Sequence, residues 1–276
     1  MNKRRVLTVF GIIYLLTIGV LLNSYTEAAV SSGNIAEMCL ESSLPCLEVI
    51  AVDSETGVEV AAKKVEKERL DNTSKQKTKN TGEPQVLIYH THATESYLPS
   101  TSGNYHTTKE ANTVREVGDV LEQTLESKGI SVIHDKTIHD NPSYDASYDR
   151  SYDTVEAILK KYPSIELIID LHRDAVAGSG SGPTESVNGQ TCASYFYVLG
   201  SAADNYETNR AFLNKLNREA EANFDGYTGN LLDRPYRYNQ DLCEKGMLIE
   251  MGNNRNHISD VRRCAEVFGQ ILAEVL

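Results

Sequence analysis

Short apolar runs alternate with longer amphipathic segments from Pro84 to the end of the chain. The runs are typical of buried β-strands, and the amphipathic segments are typical of helices that pack through one face. The predicted strands are residues 86–89, 130–133, 165–171, 195–199 and 247–251. The predicted helices are residues 113–128, 153–161, 205–224 and 259–276, and the Gly-, Ser- and Pro-rich residues 178–189 are predicted as a loop. This alternation indicates an α/β fold with a mainly parallel sheet flanked by helices.

The N-terminus carries a membrane signal. Lys3, Arg4 and Arg5 precede an uncharged apolar run of 17 residues, 6–22. A run of this length is at the short end of what spans a bilayer as a helix, and the preceding basic residues keep the N-terminus in the cytoplasm. We therefore expect residues 1–22 to be a cytoplasmic tip and transmembrane anchor. A signal peptide cleaved near Ala28-Ala29 is the alternative, and either interpretation places the rest of the chain outside the cytoplasm.

A second segment, residues 23–83, is predicted to be a flexible extracytoplasmic stalk. It is rich in charge between residues 63 and 79 and has too few apolar residues there to bury a core. The remaining residues, 84–276, carry eleven of the twelve net negative charges of the chain. Such an acidic domain is a poor partner for nucleic acid, whose phosphates are bound mainly by Lys and Arg.

Three predicted strands end in chemically active side chains. The first strand is followed by His90, His92 and Glu95, the third by Asp170 to Asp174 with His172 at its centre, and the last contains Glu250. Because the carboxyl ends of parallel strands meet at one edge of a sheet, these groups are expected to lie together. Two histidines and a carboxylate with one open position form the usual catalytic zinc site.

Each candidate has a structural alternative. His172 follows an apolar run and by itself fits a hydrogen-bonded core histidine, but Asp170 and Asp174 beside it are candidates to orient a metal-binding imidazole. His90 and His92 alternate along an extended segment and point to opposite faces, so at most one of them is expected to bind a metal. We rank His134 and His139, which lie in a predicted loop, below these two.

Glu250 stands among apolar residues of the last predicted strand, where an unpaired carboxylate is costly. A buried glutamate near zinc fits a general base, and a salt bridge to Arg173 or Arg255 is the alternative. The tyrosines at positions 144, 148 and 152 are spaced by four residues and predict a helix stripe used for packing.

Taken together, these motifs resemble the stage II sporulation protein P family, exported cell-wall hydrolases of spore-forming bacteria that are related to zinc-dependent N-acetylmuramoyl-L-alanine amidases. The resemblance covers roughly residues 84–276 and the N-terminal anchor. It rests on residues 89–97 (YHTHATESY), 134–144, 170–175 (DLHRDA) and 248–252 (LIEMG).

The resemblance implies a zinc amidase-like domain over residues 84–276 and assigns roles to its polar residues. His92 and His172 match the two histidine ligands of zinc, and Glu250 matches the catalytic glutamate. Glu95 is the third ligand by motif, with Glu110 as the alternative by its distance from the first histidine. Separately from the resemblance, the proximity of Arg173 to His172 and of Asn253 to Glu250 in the sequence makes Arg173 or Asn253 the candidate to hold the oxyanion or a glycan group.

The implied activity is cleavage of the amide between N-acetylmuramic acid and L-alanine during engulfment, with cleavage of peptide cross-links as an additional activity. The implied partners are peptidoglycan and the stage II sporulation proteins D and M. The implied location is the septal or engulfing membrane of the sporulating cell, with a single membrane pass and an extracytoplasmic domain. A catalytically inactive wall-binding scaffold is the competing interpretation.

Overall fold

The computed structural model describes residues 82–276. The predicted anchor, residues 1–22, and residues 23–81 of the predicted stalk lie outside the described residues. Within residues 82–276, no helix is both long and apolar enough to cross a membrane.

The described residues alternate strands and helices, as predicted. The strands are β1 (Val86–Tyr89), β2 (Val132–His134), β3 (Leu167–Asp174), β4 (Thr184–Val187), β5 (Gln190–Ala193), β6 (Tyr195–Gly200), β7 (Asn230–Arg234) and β8 (Lys245–Asn253). The helices are α1 (Val114–Ser127), α2 (Ser147–Lys161), α3 (Tyr206–Asn223) and α4 (Ile258–Ala273), with short helical turns at Ser102–Tyr105 and Gln240–Leu242.

Six strands form the main sheet in the order β2-β1-β3-β8-β6-β7. The first four are parallel to one another, β6 runs antiparallel to β8, and β7 is parallel to β6. The prediction of a mainly parallel sheet flanked by helices is therefore confirmed. A separate antiparallel hairpin joins β4 and β5.

The central strands bury both faces, because alternate residues pack against different helices. The larger core contains Val86 and Ile88 of β1 together with apolar residues of α1, α3 and α4. The smaller core contains Leu87 and Tyr89 of β1 together with Val155 of α2. The sheet thus has three helices on one face and α2 on the other.

Several elements differ from the sequence prediction, and strand β5 (Gln190–Ala193) is one that was not predicted. The predicted loop at residues 178–189 contains strand β4, so that prediction is wrong for residues 184–187. Strand β7 was not predicted, and it lies at the edge of the sheet with a largely exposed backbone segment. Helix α2 begins at Ser147 rather than at residue 153, because its first two turns are polar and carry no apolar periodicity.

Candidate metal centre

Three predicted ligands meet at one edge of the sheet. His92 and Glu95 lie in the turns that follow β1, and His172 lies near the end of the adjacent strand β3. All three side chains are buried, and one ligand atom from each lies within 4.8 Å of the others. The backbone amide of Glu95 donates to the carbonyl of His92, which closes the turn that brings the two side chains together.

The spacing of these atoms fits a tetrahedral zinc ion. His92 Nδ1 lies 3.4 Å from Glu95 Oε1, and His172 Nδ1 lies 3.5 Å from Glu95 Oε2. Zinc bonds of about 2.0–2.2 Å at tetrahedral angles place neighbouring ligand atoms about 3.4 Å apart. The three residues fit zinc in donor type and lie close enough together to share one ion, and they are the residues that would hold it.

The charges of the group are strongly coupled. Burial alone would raise the pKa of Glu95, but His172 and His92 on either side hold the pKa of that carboxyl well below its usual range. Burial alone would lower the pKa of His172, but Asp170 and Glu95 hold it well above its usual range. A buried carboxylate that keeps its charge is the form that binds a divalent cation.

Asp170 orients His172 from the side away from Glu95. Oδ1 of Asp170 lies 2.8 Å from His172 Nε2. The same carboxylate accepts hydrogen bonds from the Thr91 amide at 2.8 Å and from the Thr91 hydroxyl at 2.7 Å. A carboxylate on the far nitrogen fixes the tautomer of a metal-binding histidine, which leaves Nδ1 of His172 free to face the site.

Glu250 lies next to His172 on β8, since the two residues are direct partners in the parallel pairing of β3 with β8. Its Oε2 atom is buried and has no hydrogen-bond partner among the described residues. Burial raises the pKa of Glu250 to about 8, against the opposing effect of His172. In the described part of the chain no ion pair joins Glu250 to Arg173 or Arg255. Glu250 thus lines the site cavity with a carboxyl group that has one unpaired oxygen and a raised pKa.

Arg173 is buried and holds the loop above the site. Its Nη2 donates to the Tyr105 carbonyl at 2.9 Å, and its Nε donates to the Ser96 carbonyl at 3.3 Å. Its backbone amide donates to Glu95 Oε2 at 3.0 Å. Arg173 also lines the site cavity, and these contacts make it a residue that positions Glu95 and the neighbouring loop. Asn253, its alternative, has a side-chain oxygen that accepts from the Arg255 amide.

His90 and His92 face opposite ways, as the alternation predicts. The Nδ1 of His90 donates to the Leu171 carbonyl at 2.8 Å, and its Nε2 lies 2.8 Å from His134 Nε2. His139 contacts the His90 carbonyl at 2.8 Å through its own Nδ1. The three residues form a buried hydrogen-bonded group apart from the candidate ligands.

Glu110, the alternative ligand, lies elsewhere. Its carboxylate pairs with Lys136 at 2.7 Å, and its side chain is half exposed. Lys136 also lies 2.6 Å from Asp119, which belongs to a second His and carboxylate group with Glu122 and His134. An ammonium at that distance already neutralises the carboxylate, so we do not assign a metal to this second group.

Tyr144 and Tyr148 contact the site, so the prediction of a packing stripe is wrong for both. Tyr144 precedes α2 and stacks on His92 with ring centroids 4.1 Å apart and an interplanar angle of 19°. Its hydroxyl lies 3.1 Å from His92 Nδ1. Tyr148 meets His92 edge-on at 5.7 Å. The spacing by four was visible in the sequence, but nothing in it indicated that the rings face a histidine after β1.

The site opens into a cavity of about 270 Å³ on the α2 face of the sheet. Glu250 and Leu248 of β8 form its floor together with Phe196 and Val198 of β6. This part of the sheet is left open because α2 packs over β1 and β3. Tyr238, which the sequence did not single out, completes the rim. The arrangement is a candidate metal-binding triad of His92, Glu95 and His172 beside a carboxyl group with one unpaired oxygen, in a cleft lined by both polar and apolar side chains.

Comparison with known proteins identifies the family. The model of the stage II sporulation protein P family matches residues 15–273. The chain belongs to this family. It is 30% identical over 230 residues to stage II sporulation protein P of Bacillus subtilis (strain 168), a match that covers 76% of this chain. The chain spans 57% of the length of that relative. The resemblance inferred from the motifs is confirmed.

Several solved amidase structures are similar at a lower level. The catalytic domain of CwlV from Bacillus (Paenibacillus) polymyxa has 12% identity and a TM-score of 0.43, covering 69% of this chain and 97% of that domain. CwlD of Clostridioides difficile, in complex with the GerS lipoprotein, has 11% identity and a TM-score of 0.43, covering 69% of this chain and 98% of that chain. At these identities and TM-scores, the similarity to the amidase structures assigns no activity to this chain.

Proposed function

We propose that this chain is a zinc-dependent N-acetylmuramoyl-L-alanine amidase that hydrolyses peptidoglycan during sporulation. The observation that carries the proposal is the placement of Glu250 beside the group of His92, Glu95 and His172. Membership of the stage II sporulation protein P family supports a sporulation-related hydrolase acting on the cell wall.

The chemistry follows from the roles that these residues can take. A zinc ion held by His92, Glu95 and His172 would supply an acidified water and polarise the carbonyl of the lactyl group. Glu250 has an oxygen without a hydrogen-bond partner in the site cavity, and in its ionised form, which a nearby zinc cation would favour, it would take the proton from the attacking water. Glu250 then returns that proton to the nitrogen of L-alanine as the carbon–nitrogen bond breaks. The products are the lactyl carboxylate and a free peptide amine.

The surroundings of the triad keep it in the reactive arrangement. Asp170 fixes the imidazole of His172, and the Arg173 amide holds one oxygen of Glu95. Leu248 and Val198 on the cavity floor exclude water from beneath the reacting groups. Preorganised groups in a partly desolvated site interact more strongly with the charge that develops in the transition state.

We also propose the setting in which this activity works. The basic residues and the apolar run at the N-terminus support a single-pass anchor with residues 84–276 outside the cytoplasm. Family membership supports action on peptidoglycan during sporulation. The septal or engulfing membrane is the proposed place of action, and the stage II sporulation proteins D and M are the proposed partners.

Mass spectrometry of peptidoglycan digested by the full chain tests the activity. Release of intact stem peptides with a free L-alanine amine is expected, with loss of release on chelation and recovery on zinc addition. Fragments cut only within the peptide cross-links would identify an endopeptidase instead. A protein with no bound zinc that releases no fragments would be the wall-binding scaffold.

A further inference from the structure

A second cavity adjoins the candidate metal centre. It has a volume of about 420 Å³ and is lined by Tyr148, Tyr236, Arg237, Tyr238 and Asn239. We call these five residues the tyrosine cleft. Tyr148 and Tyr238 line both this cavity and the cavity that contains the metal centre. A ligand at the metal centre is therefore able to continue into the tyrosine cleft without leaving the surface.

The three rings of the cleft contact one another in sequence, Tyr148 with Tyr238 at an interplanar angle of 59° and Tyr238 with Tyr236 at 77°. The centroids of Tyr148 and Tyr238 lie 5.6 Å apart, and those of Tyr238 and Tyr236 lie 5.7 Å apart. Tyr236 is 61% exposed, the largest exposure among the large apolar side chains of the described residues. An exposed tyrosine offers an apolar face together with a hydroxyl group, which suits a ligand that has both characters.

The backbone holds these rings in place at a cost in strain. Tyr238 and Asn239 have φ values of 51° and 55°, in the left-handed region that non-glycine residues seldom adopt. The side-chain Nδ2 of Asn239 donates to the Tyr148 carbonyl at 3.0 Å and to Ser151 Oγ at 3.1 Å. These bonds join the loop before β8 to helix α2, so the cleft is built from two elements rather than from one mobile loop.

The other edge of the loop is packed against β6. The Tyr236 carbonyl accepts a hydrogen bond from the Ala202 amide at 3.3 Å. A Cβ atom at Gly200 would lie only 2.6 Å from this carbonyl oxygen, so the strand end must be glycine for the loop to approach. The position of Tyr236 is thereby set by the sheet itself.

The charge of the cleft decides between ligand classes. Its only ionised side chain, Arg237, is paired with Asp204 and Asp241. A stem peptide carries ionised carboxylates, and none of the five residues of the cleft offers them an unpaired cation; Arg234, which forms no ion pair among the described residues, lines the metal-centre cavity beside Tyr238 instead. A neutral N-acetylated pyranose instead packs its apolar C–H face on the rings and offers hydroxyl and amide groups to the tyrosine hydroxyls.

We propose that the tyrosine cleft is a glycan subsite that binds the N-acetylated sugars next to the muramic acid at the metal centre. The inference rests on the proposed function, because that function places muramic acid at the metal centre. Beyond that function, the inference gives the course of the sugar chain, which runs from the metal centre past Tyr148 and Tyr238 towards Tyr236.

Chitotetraose, a neutral tetramer of β-1,4-linked N-acetylglucosamine without a stem peptide, is the probe for this subsite. The full chain is titrated with it by NMR, alongside Tyr236→Ala, Tyr236→Phe and Tyr152→Ala. Tyr152 is the matched control, since it is an exposed tyrosine on α2 that lines neither cavity. Tyr236→Ala is expected to weaken binding about 3- to 10-fold, while Tyr236→Phe keeps the aromatic face and most of the affinity.

The outcomes separate this inference from the proposed function. Absence of chitotetraose binding by the unsubstituted chain, or an equal loss in the variants at positions 236 and 152, overturns the glycan subsite. If Tyr236→Ala weakens the binding of a free stem peptide but leaves chitotetraose binding unchanged, the cleft is a peptide subsite and the glycan proposal is overturned. If chitotetraose binds as expected but no stem peptide is released from peptidoglycan, the tyrosine cleft binds sugars, the amidase proposal fails, and the placement of muramic acid beside the cleft fails with it.

Discussion

Glu250 and His172 are direct neighbours across the parallel strands β8 and β3, and their side chains lie on the same face of the sheet. Strand pairing therefore fixes the distance between the proposed proton acceptor and a proposed metal ligand. Neither residue depends on a loop for its position. Sites built on strands hold their geometry more closely than sites built on loops.

Glu250→Gln is expected to abolish hydrolysis while leaving the metal group intact. The amide has the shape of the carboxyl group but cannot accept the water proton, so the rate of stem-peptide release should fall about 10²- to 10⁴-fold. The zinc content should not change, because Glu250 is not one of the three ligands. An assay of amine release measures the hydrolysis rate, and metal analysis of the same preparation measures the zinc content. Glu244→Gln, at an exposed position on the turn before β8, is the control, and full activity of Glu250→Gln would remove Glu250 from the mechanism.

Separate substitution of Glu95 and of Glu110 shows which of the two is the third zinc ligand. Glu95→Gln is expected to lower zinc affinity by more than the ~10- to 100-fold typical of residues one step removed from a metal. Glu110→Gln should leave zinc affinity unchanged, because Glu110 pairs with Lys136. Competition with a zinc-binding dye measures both affinities, and circular dichroism checks that each variant is folded. The reverse order of effects would make Glu110 the ligand.

The elements that the sequence predicted are those with a strong apolar pattern. Strands β1, β3, β6 and β8 carry runs such as Leu167–Ile169 that have no alternative to burial. The hairpin of β4 and β5 lacks this signal, since Thr184, Glu185 and Ser186 are exposed and polar. Its strands exist because their backbones pair with each other, and pairing of this kind leaves no periodic pattern in a single sequence.

The candidate site divides in the same way. His92, Glu95, His172 and Glu250 stand at strand ends, where topology alone predicts that they meet. Tyr144 and Tyr238 reach the site from irregular segments before α2 and before β8. Contacts of this kind depend on the path of each loop, which neither composition nor spacing determines. The sequence shows that Tyr144 and Tyr238 are present, but it does not show that their side chains point into the site.

Asp170→Asn is expected to weaken zinc binding without removing a ligand. The carboxylate lies 2.8 Å from His172 Nε2 and fixes its tautomer, so its loss should reduce zinc affinity about 10- to 100-fold. Zinc titration of the variant measures the effect, and excess zinc should restore hydrolysis because the three ligands are still present. Asp153→Asn, exposed on α2, is the control. Unchanged zinc affinity would show that Asp170 only anchors Thr91.

Gly118→Ala is expected to destabilise the domain by disturbing the buried histidine pair. Gly118 lies in α1, and a Cβ atom there would lie 2.4 Å from His134 Nε2 and 3.2 Å from His90 Nε2. His134 cannot easily move aside, because it contacts His90 at 2.8 Å and Asp119 at 3.1 Å. Overpacking of this kind costs about 1–3 kcal/mol, which exceeds the roughly 1 kcal/mol that alanine gains over glycine in a helix. Urea unfolding measures the net change. Gln123→Ala, exposed on the same helix, is the control and should be close to neutral. A Gly118→Ala variant more stable than the unsubstituted chain would show that the histidine pair tolerates displacement.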